Sequence, residues 1–166
     1  MIEIIINIII KIIKNKKLKI FYLKKNVNKG KYLITIGNCI SCHTLEGGKP
    51  FGGGYSIKTK FGIVNSPNIT SNKKYGIGEL KLKNFIKLMK NGISKKGEFI
   101  IPIFPYKNFS KIKKKDLKEM FFFLKKTKNE NILNKKNSLK FPIKYKKLII
   151  FSRIIFLKKK KELKKK

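Results

Sequence analysis

Apolar positions along this chain fall into three stripes of helical spacing, separated by stretches without a regular period. Tyr32, Leu33 and Ile36 recur at that spacing within Lys29–Gly37, which predicts a short helix with one apolar face. Leu82, Phe85, Ile86 and Met89 repeat the pattern within Leu80–Asn91, and Gly92 follows as a C-cap, the place where a left-handed residue commonly ends a helix. Leu117, Met120, Phe121 and Leu124 form the stripe of a third helix over Lys113–Lys128. Between the first two helices, Leu45–Gly78 is rich in Gly, Pro, Asn, Ser and Thr and predicts loops, not sheet. The expected fold is all-α, with three main helices and long Gly/Pro-rich loops in one domain over residues 27–128 and no internal repeat.

Extensions flank that domain. Met1–Ile13 holds nine isoleucines interrupted by Glu3, Asn7 and Lys11, with lysines at 14, 16, 17, 19, 24 and 25 beyond. The run matches a signal-peptide core in length and is short for a membrane span. A chain without alanine has no A-x-A cleavage site, so residues 1–26 are expected to be an eroded, uncleaved signal-anchor or an amphipathic surface helix. Residues 129–166 are expected to be a basic tail, with one apolar run, Leu148–Leu157, that is also short for a span.

Charge changes the picture less than its size suggests. Lys and Arg number 43 against 8 Asp and Glu, a net charge of +35, and Arg153 is the only arginine. Such a balance usually points to nucleic acid or an anionic membrane. Here Ala, Trp and Gln are absent while Lys, Ile, Asn, Phe and Tyr abound, the residues of A/T-rich codons. Lysine is spread along the whole chain, so compositional drift accounts for it better than a dedicated polyanion surface. No specific nucleic-acid partner is implied; acidic partners and anionic lipid headgroups are favoured in a salt-dependent way.

The chemistry sits in Cys39-Ile40-Ser41-Cys42-His43. This is C-x-x-C-H, at which two thiols add to the vinyl groups of haem c and the histidine becomes an axial iron ligand. No other Cys or His occurs in the chain. A closed zinc site needs four ligands and would have to recruit Glu46 or a second chain. A redox dithiol needs a βαβ context that the flanks lack, and a disulfide across this tiny loop would constrain almost nothing. One covalently bound haem c is therefore expected, through Cys39 and Cys42, with His43 as the iron ligand. Other residues have two readings. Gly52-Gly53-Gly54 suits a close backbone approach to the haem edge or a flexible loop. Pro50 would offer its carbonyl to His43 Nδ1, or merely shape its loop. Asn68 and Thr70 would hydrogen-bond a haem propionate, or cap a local turn.

Order and spacing of further motifs identify a family resemblance. Gly30-Lys31-Tyr32-Leu33, Gly37-Asn38-Cys39, Gly47 through Gly54, Phe61-Gly62, Asn68-Ile69-Thr70, Gly76-Ile77-Gly78 and Pro102-Ile103-Phe104-Pro105-Tyr106 together resemble the membrane-associated cytochrome c subunits of bacterial alcohol, gluconate and aldehyde dehydrogenases. Leu139-Lys140-Phe141-Pro142, with Arg153 and Phe156, looks like the segment joining the first haem domain to the next in those proteins. The resemblance implies a small class I-like cytochrome c domain that acts as an electron carrier and catalyses no reaction itself. It would take electrons from a dehydrogenase catalytic subunit and pass them toward quinone or a terminal oxidase. Its place would be the periplasmic side of the cytoplasmic membrane, where haem c is attached. One departure stands out: the family's P-x-M-P-Y methionine, the usual sixth iron ligand, is Phe104 here. Met89 and Met120 lie on apolar helix faces and read as core, and Lys107 would ligate only if deprotonated. An open iron face would instead suit a five-coordinate haem protein binding a small gas, and a degenerate remnant of a multihaem subunit is a further alternative.

Overall fold

A computed structural model describes residues 11–16, 28–141, 143 and 144. Residues 11–16 are helical and exposed; the rest of the expected signal-anchor and the run Leu148–Leu157 lie outside the described residues. Among the described residues no helix is long and apolar enough to cross a membrane. The elements are α1 (28–36), α2 (Cys39–Cys42), β1 (Ser56–Thr59), β2 (Gly62–Asn65), α3 (Leu82–Asn91), α4 (Tyr106–Phe109), α5 (Lys114–Lys125) and β3 (Ser138–Leu139).

Two of the three apolar stripes, those of α3 and α5, become the core; on α1 the expected face is turned outward, with Tyr32 and Ile36 exposed and Leu33 only partly buried, and Ile34 points inward instead. Ile34 from α1, Phe85 and Met89 from α3, and Leu117, Met120, Phe121 and Leu124 from α5 are buried together with Phe51. Leu82 and Ile86 complete the α3 face, and Phe104 and Phe109 pack against the same cluster. The α1–α5 crossing is close because α1 carries Gly30 there: a side-chain carbon at that position would stand 2.7 Å from Phe123 Cβ. Lys29 Nζ donates to Asp116 Oδ1 at 2.6 Å across the same crossing, and Asp116 also sits in the first turn of α5, where a negative charge suits the helix dipole. Gly92, at φ 62°, ends α3 as expected, its N–H bonding the Leu88 carbonyl at 2.8 Å.

The fold is not all-α. A three-stranded antiparallel sheet, ordered β1-β2-β3, rises from the stretch expected to be loops and from the tail. The pairing Ser56↔Asn65 to Thr59↔Gly62 makes a hairpin. Its turn lacks the usual Asn-Gly signal because Thr59 closes it, its hydroxyl donating to the Gly62 carbonyl and accepting from the Phe61 N–H. The alternation is four residues long on each side and buries only Val64, so the strand period is faint beside the surrounding Gly, Pro and Asn. Residues 129–139 also differ from a free tail. They return along the 65–75 loop, and Ser138–Leu139 pairs with Gly62 and Ile63 as the third strand. Packing therefore continues past Lys128, the boundary expected from composition.

Met120 is fully buried at the centre of the core. Met120→Ala is expected to cost about 2–5 kcal/mol, read as a lower denaturant midpoint with an unchanged slope. The Lys29 hydrogen bond, acting against burial, holds the Asp116 carboxyl below its ordinary value of 3.8. A depressed folded pKa stabilises above the unfolded value and ceases to as pH falls through the folded one. Asp116→Asn is therefore expected to cost up to about 1 kcal/mol at pH 7 for this partly exposed pair. The cost should shrink toward zero at acid pH, as denaturation at both pH values would measure.

Candidate cofactor site

The motif is displayed by a break between two helices. α1 closes with Gly37 and Asn38 bonding back to Leu33 and Thr35, and Asn38 adopts a left-handed conformation, φ 51° and ψ 37°, which Asn tolerates better than most residues. Ser41 Oγ donates to Asn38 Oδ1 at 2.5 Å and holds the reversal. The chain then makes the single turn Cys39–Cys42, closed by the His43 N–H on the Cys39 carbonyl at 3.0 Å. That turn separates the two thiols in environment: Cys39 is partly buried against the core and Cys42 is exposed. Burial first, then the neighbouring Cys42, push the Cys39 thiol up to about 11, with a backbone hydrogen bond opposing. At neutral pH the free Cys39 side chain is therefore a thiol. Among the described residues, no three His, Cys, Asp or Glu side chains converge as a metal cluster.

His43 is held at three points. Its N–H is bonded in α2, its carbonyl accepts from the Gly53 N–H at 2.8 Å, and its Nδ1 lies 2.8 Å from the Pro67 carbonyl oxygen. A carbonyl can only accept, so Nδ1 carries the proton. Burial lowers the pKa of the ring, opposed by the Pro67 bond, so at neutral pH Nε2 keeps its lone pair. An imidazole anchored through Nδ1–H with Nε2 free is the form a metal takes. The residues present therefore fit haem c: two thiols one turn apart and an oriented histidine. Ile40, Leu45 and Tyr55 supply exposed apolar surface in the surrounding stretch.

Of the two readings of Pro50, that of a partner to His43 does not hold: the structure gives that bond to Pro67 instead, and Pro50 is exposed in a turn. Backbone geometry explains the exchange. Residues 51–55 run against 66–69, with Gly54 N–H on the Ser66 carbonyl, Ser66 N–H on Tyr55 and Ile69 N–H on Phe51, each at 2.9 Å. Gly53, at φ 76°, lets this contact close: a side-chain carbon there would stand 2.5 Å from both the Asn68 nitrogen and the Pro67 carbonyl carbon. The glycine triplet's close approach is thus to the Pro67–Asn68 peptide.

Asn68 and Thr70 are buried and their polar atoms are used within the protein. Asn68 Oδ1 accepts from the Thr70 N–H and hydroxyl at 2.9 and 2.7 Å, while Asn68 Nδ2 donates to the Glu130 and Ile132 carbonyls at 2.9 and 3.2 Å. These are the bonds of a local turn, extended to the returning segment. That segment also contains groups missed in the sequence: Asn134 Oδ1 accepts the Asn68 N–H at 2.6 Å, and Asn137 Oδ1 the Asn65 N–H at 2.8 Å. Only the clustering of Asn between Asn129 and Asn137 hinted at them.

Phe104 lies parallel to Phe109, with ring centroids 5.4 Å apart and planes 11° apart. Gly37 links this pair to the motif, since a side-chain carbon on it would stand 3.4 Å from Phe109 Cε1 and 3.6 Å from Cys39 Sγ. Met89 and Met120 are buried in the core, and Lys107 is exposed on α4.

No protein-family model matches the chain. Curated relatives do. The cytochrome c subunit of the quinone alcohol dehydrogenase of Gluconobacter oxydans is 34% identical over 118 residues, 70% of this chain and 25% of that protein. The gluconate 2-dehydrogenase cytochrome c subunit of Pantoea cypripedii is 35% identical over 97 residues, covering 58% of this chain and 22% of its own length. A fructose dehydrogenase cytochrome subunit from Gluconobacter japonicus is 31% identical over 121 residues, or 72% and 25%. The chain spans about a quarter of the length of these relatives.

Gly53→Ala is expected to force the Pro67–Asn68 peptide away from His43. Left-handed backbone alone costs alanine roughly 1–2 kcal/mol, and the 2.5 Å contact adds to it. The check is a lowered denaturation midpoint together with faster solvent exchange of the His43 Nδ1 proton.

Proposed function

We propose that this chain, a protein similar to the cytochrome c subunits of bacterial dehydrogenases, is itself a c-type cytochrome domain that carries electrons and catalyses no reaction of its own. Cys39 and Cys42 would hold one haem c as thioethers, and His43 Nε2 would bind its iron. The observation that carries this reading is the anchored histidine: Pro67 fixes the tautomer and orientation of the one imidazole in the chain, beside the one pair of cysteines. Bound haem supplies a one-electron Fe(III)/Fe(II) couple. The protein's part is structural and electrostatic. It holds the His43 imidazole in one orientation and carries a strongly positive charge.

By analogy with the names of its relatives, the electron donor would be a dehydrogenase catalytic subunit and the acceptor a respiratory one, quinone or a terminal oxidase. Attachment of haem c belongs outside the cytoplasmic membrane in bacteria, which favours the periplasmic side as the site of action. The charge of +35 would favour contact with anionic lipid headgroups there. A second reading, binding of a small gas at the iron, draws support from Phe104, which cannot ligate, and from the burial of Met89 and Met120 in the core.

The full chain, co-expressed with a cytochrome c maturation system, is expected to retain haem through denaturing electrophoresis and to show a reduced c-type optical spectrum. Both features should vanish in the Cys39→Ser/Cys42→Ser double variant. No covalent haem on the unsubstituted chain would overturn the reading. Carbon monoxide separates its two forms: a reduced spectrum indifferent to the gas means a sixth protein ligand and favours electron transfer, whereas a shifted one means an open iron and favours gas binding.

A further inference from the structure

The acceptor of the His43 proton is one end of a peptide group whose other end is also engaged. Pro67 C=O and Asn68 N–H belong to the same planar, conjugated unit. At one end the carbonyl accepts from His43 Nδ1 at 2.8 Å. At the other, the N–H donates to Asn134 Oδ1 at 2.6 Å. Asn134 is committed in both directions, since its Nδ2 donates to the Tyr75 carbonyl at 2.7 Å. With one end an acceptor and the other a donor, its amide cannot be reversed without losing both bonds. Two further contacts hold the peptide in line. Gly53 packs on it from one side, and the Asn68 side chain ties it to the Glu130 and Ile132 carbonyls just ahead of Asn134.

Hydrogen bonds in such a chain polarise one another. An acceptor on the N–H end draws positive charge there and leaves the carbonyl oxygen more negative. A more negative oxygen pulls harder on the Nδ1 proton and gives the imidazole partial imidazolate character. A ligating imidazole of that kind is a stronger electron donor to its metal, the effect that residues behind a ligand exert in general. For iron this favours the oxidised state.

We propose that Asn134 is a positioning residue for His43, acting through the Pro67–Asn68 peptide to set how strongly the ring donates to bound iron. The inference rests on the haem reading above and adds a residue from the returning 129–139 segment, 91 positions after the histidine. It predicts that the strength of the acceptor at position 134 tunes the iron's potential with a definite sign.

Two variants of the haem-loaded full chain test it. Asn134→Leu removes the acceptor at similar volume, and the midpoint potential is expected to rise. Asn134→Asp puts a charged, stronger acceptor in the same place, and the potential is expected to fall. Both variants lose the bond to Tyr75, so a merely structural role would move them in the same direction. Added charge alone could lower the potential of the Asp variant, so the ring itself is read as well. In reduced protein under carbon monoxide, which is diamagnetic whether or not the gas binds, the 15N shift of His43 Nδ1 should move toward imidazolate in Asn134→Asp and away from it in Asn134→Leu. Opposite displacements of both potential and nitrogen shift support the proposal. Displacements of the same sign, or an unmoved nitrogen, overturn it while leaving the haem reading intact. A chain that binds no covalent haem overturns both, and that result is visible before any variant is made.

Discussion

A single carbonyl decides what His43 can do. An imidazole on a loop would rotate and exchange tautomers; one donating to Pro67 has one orientation and one free lone pair. The neighbouring structure can be understood as the means of bringing that carbonyl to that ring. Pro67 lies 24 residues beyond His43, so the chain must leave, turn and return with its backbone in register. The β1–β2 hairpin makes the turn, the pairing of 51–55 with 66–69 makes the return, and Gly53 removes the side chain that would hold the two strands of backbone apart.

Helical packing does the corresponding work for the thiols. The α1–α5 crossing fixes α1 at Gly30, and α1 delivers the reversal at Gly37–Asn38, from which α2 projects. Core residues on α3 and α5 support the aromatic pair Phe104 and Phe109, which reaches Cys39 by way of Gly37. Two separate scaffolds therefore meet at the motif, one apolar and helical behind the Cys39 sulfur, one polar and extended behind the histidine.

The two scaffolds were unequally legible in the sequence. Helical stripes such as Leu117, Met120, Phe121 and Leu124 declare themselves because burial repeats at a fixed period. The motif residues were legible because chemistry dictates their spacing. The polar scaffold has neither advantage. A four-residue strand with one buried side chain leaves almost no period, and its turn relied on a threonine hydroxyl instead of glycine. The sequence left Pro50 with two readings, partner of His43 or loop-shaping proline, and could not choose, because the hydrogen bond depends on backbone register that only the folded hairpin sets. Asn68 and Thr70 were noticed for the right polarity, but their partners lie on a segment whose lysine-rich composition resembled a solvated tail.

The return of residues 129–139 to the 65–75 loop has a temporal meaning as well. A chain is synthesised from its N-terminus, and contacts between distant residues form only after both have emerged. Cys39, Cys42 and His43 leave the ribosome long before Asn134 and Asn137, so the loop that orients the histidine is closed late. Until then Cys39–His43 would be open peptide, accessible to any enzyme that has to reach both sulfurs. On the haem reading proposed above, closing the frame with residues 129–139 would keep the motif available during attachment and rigid afterwards.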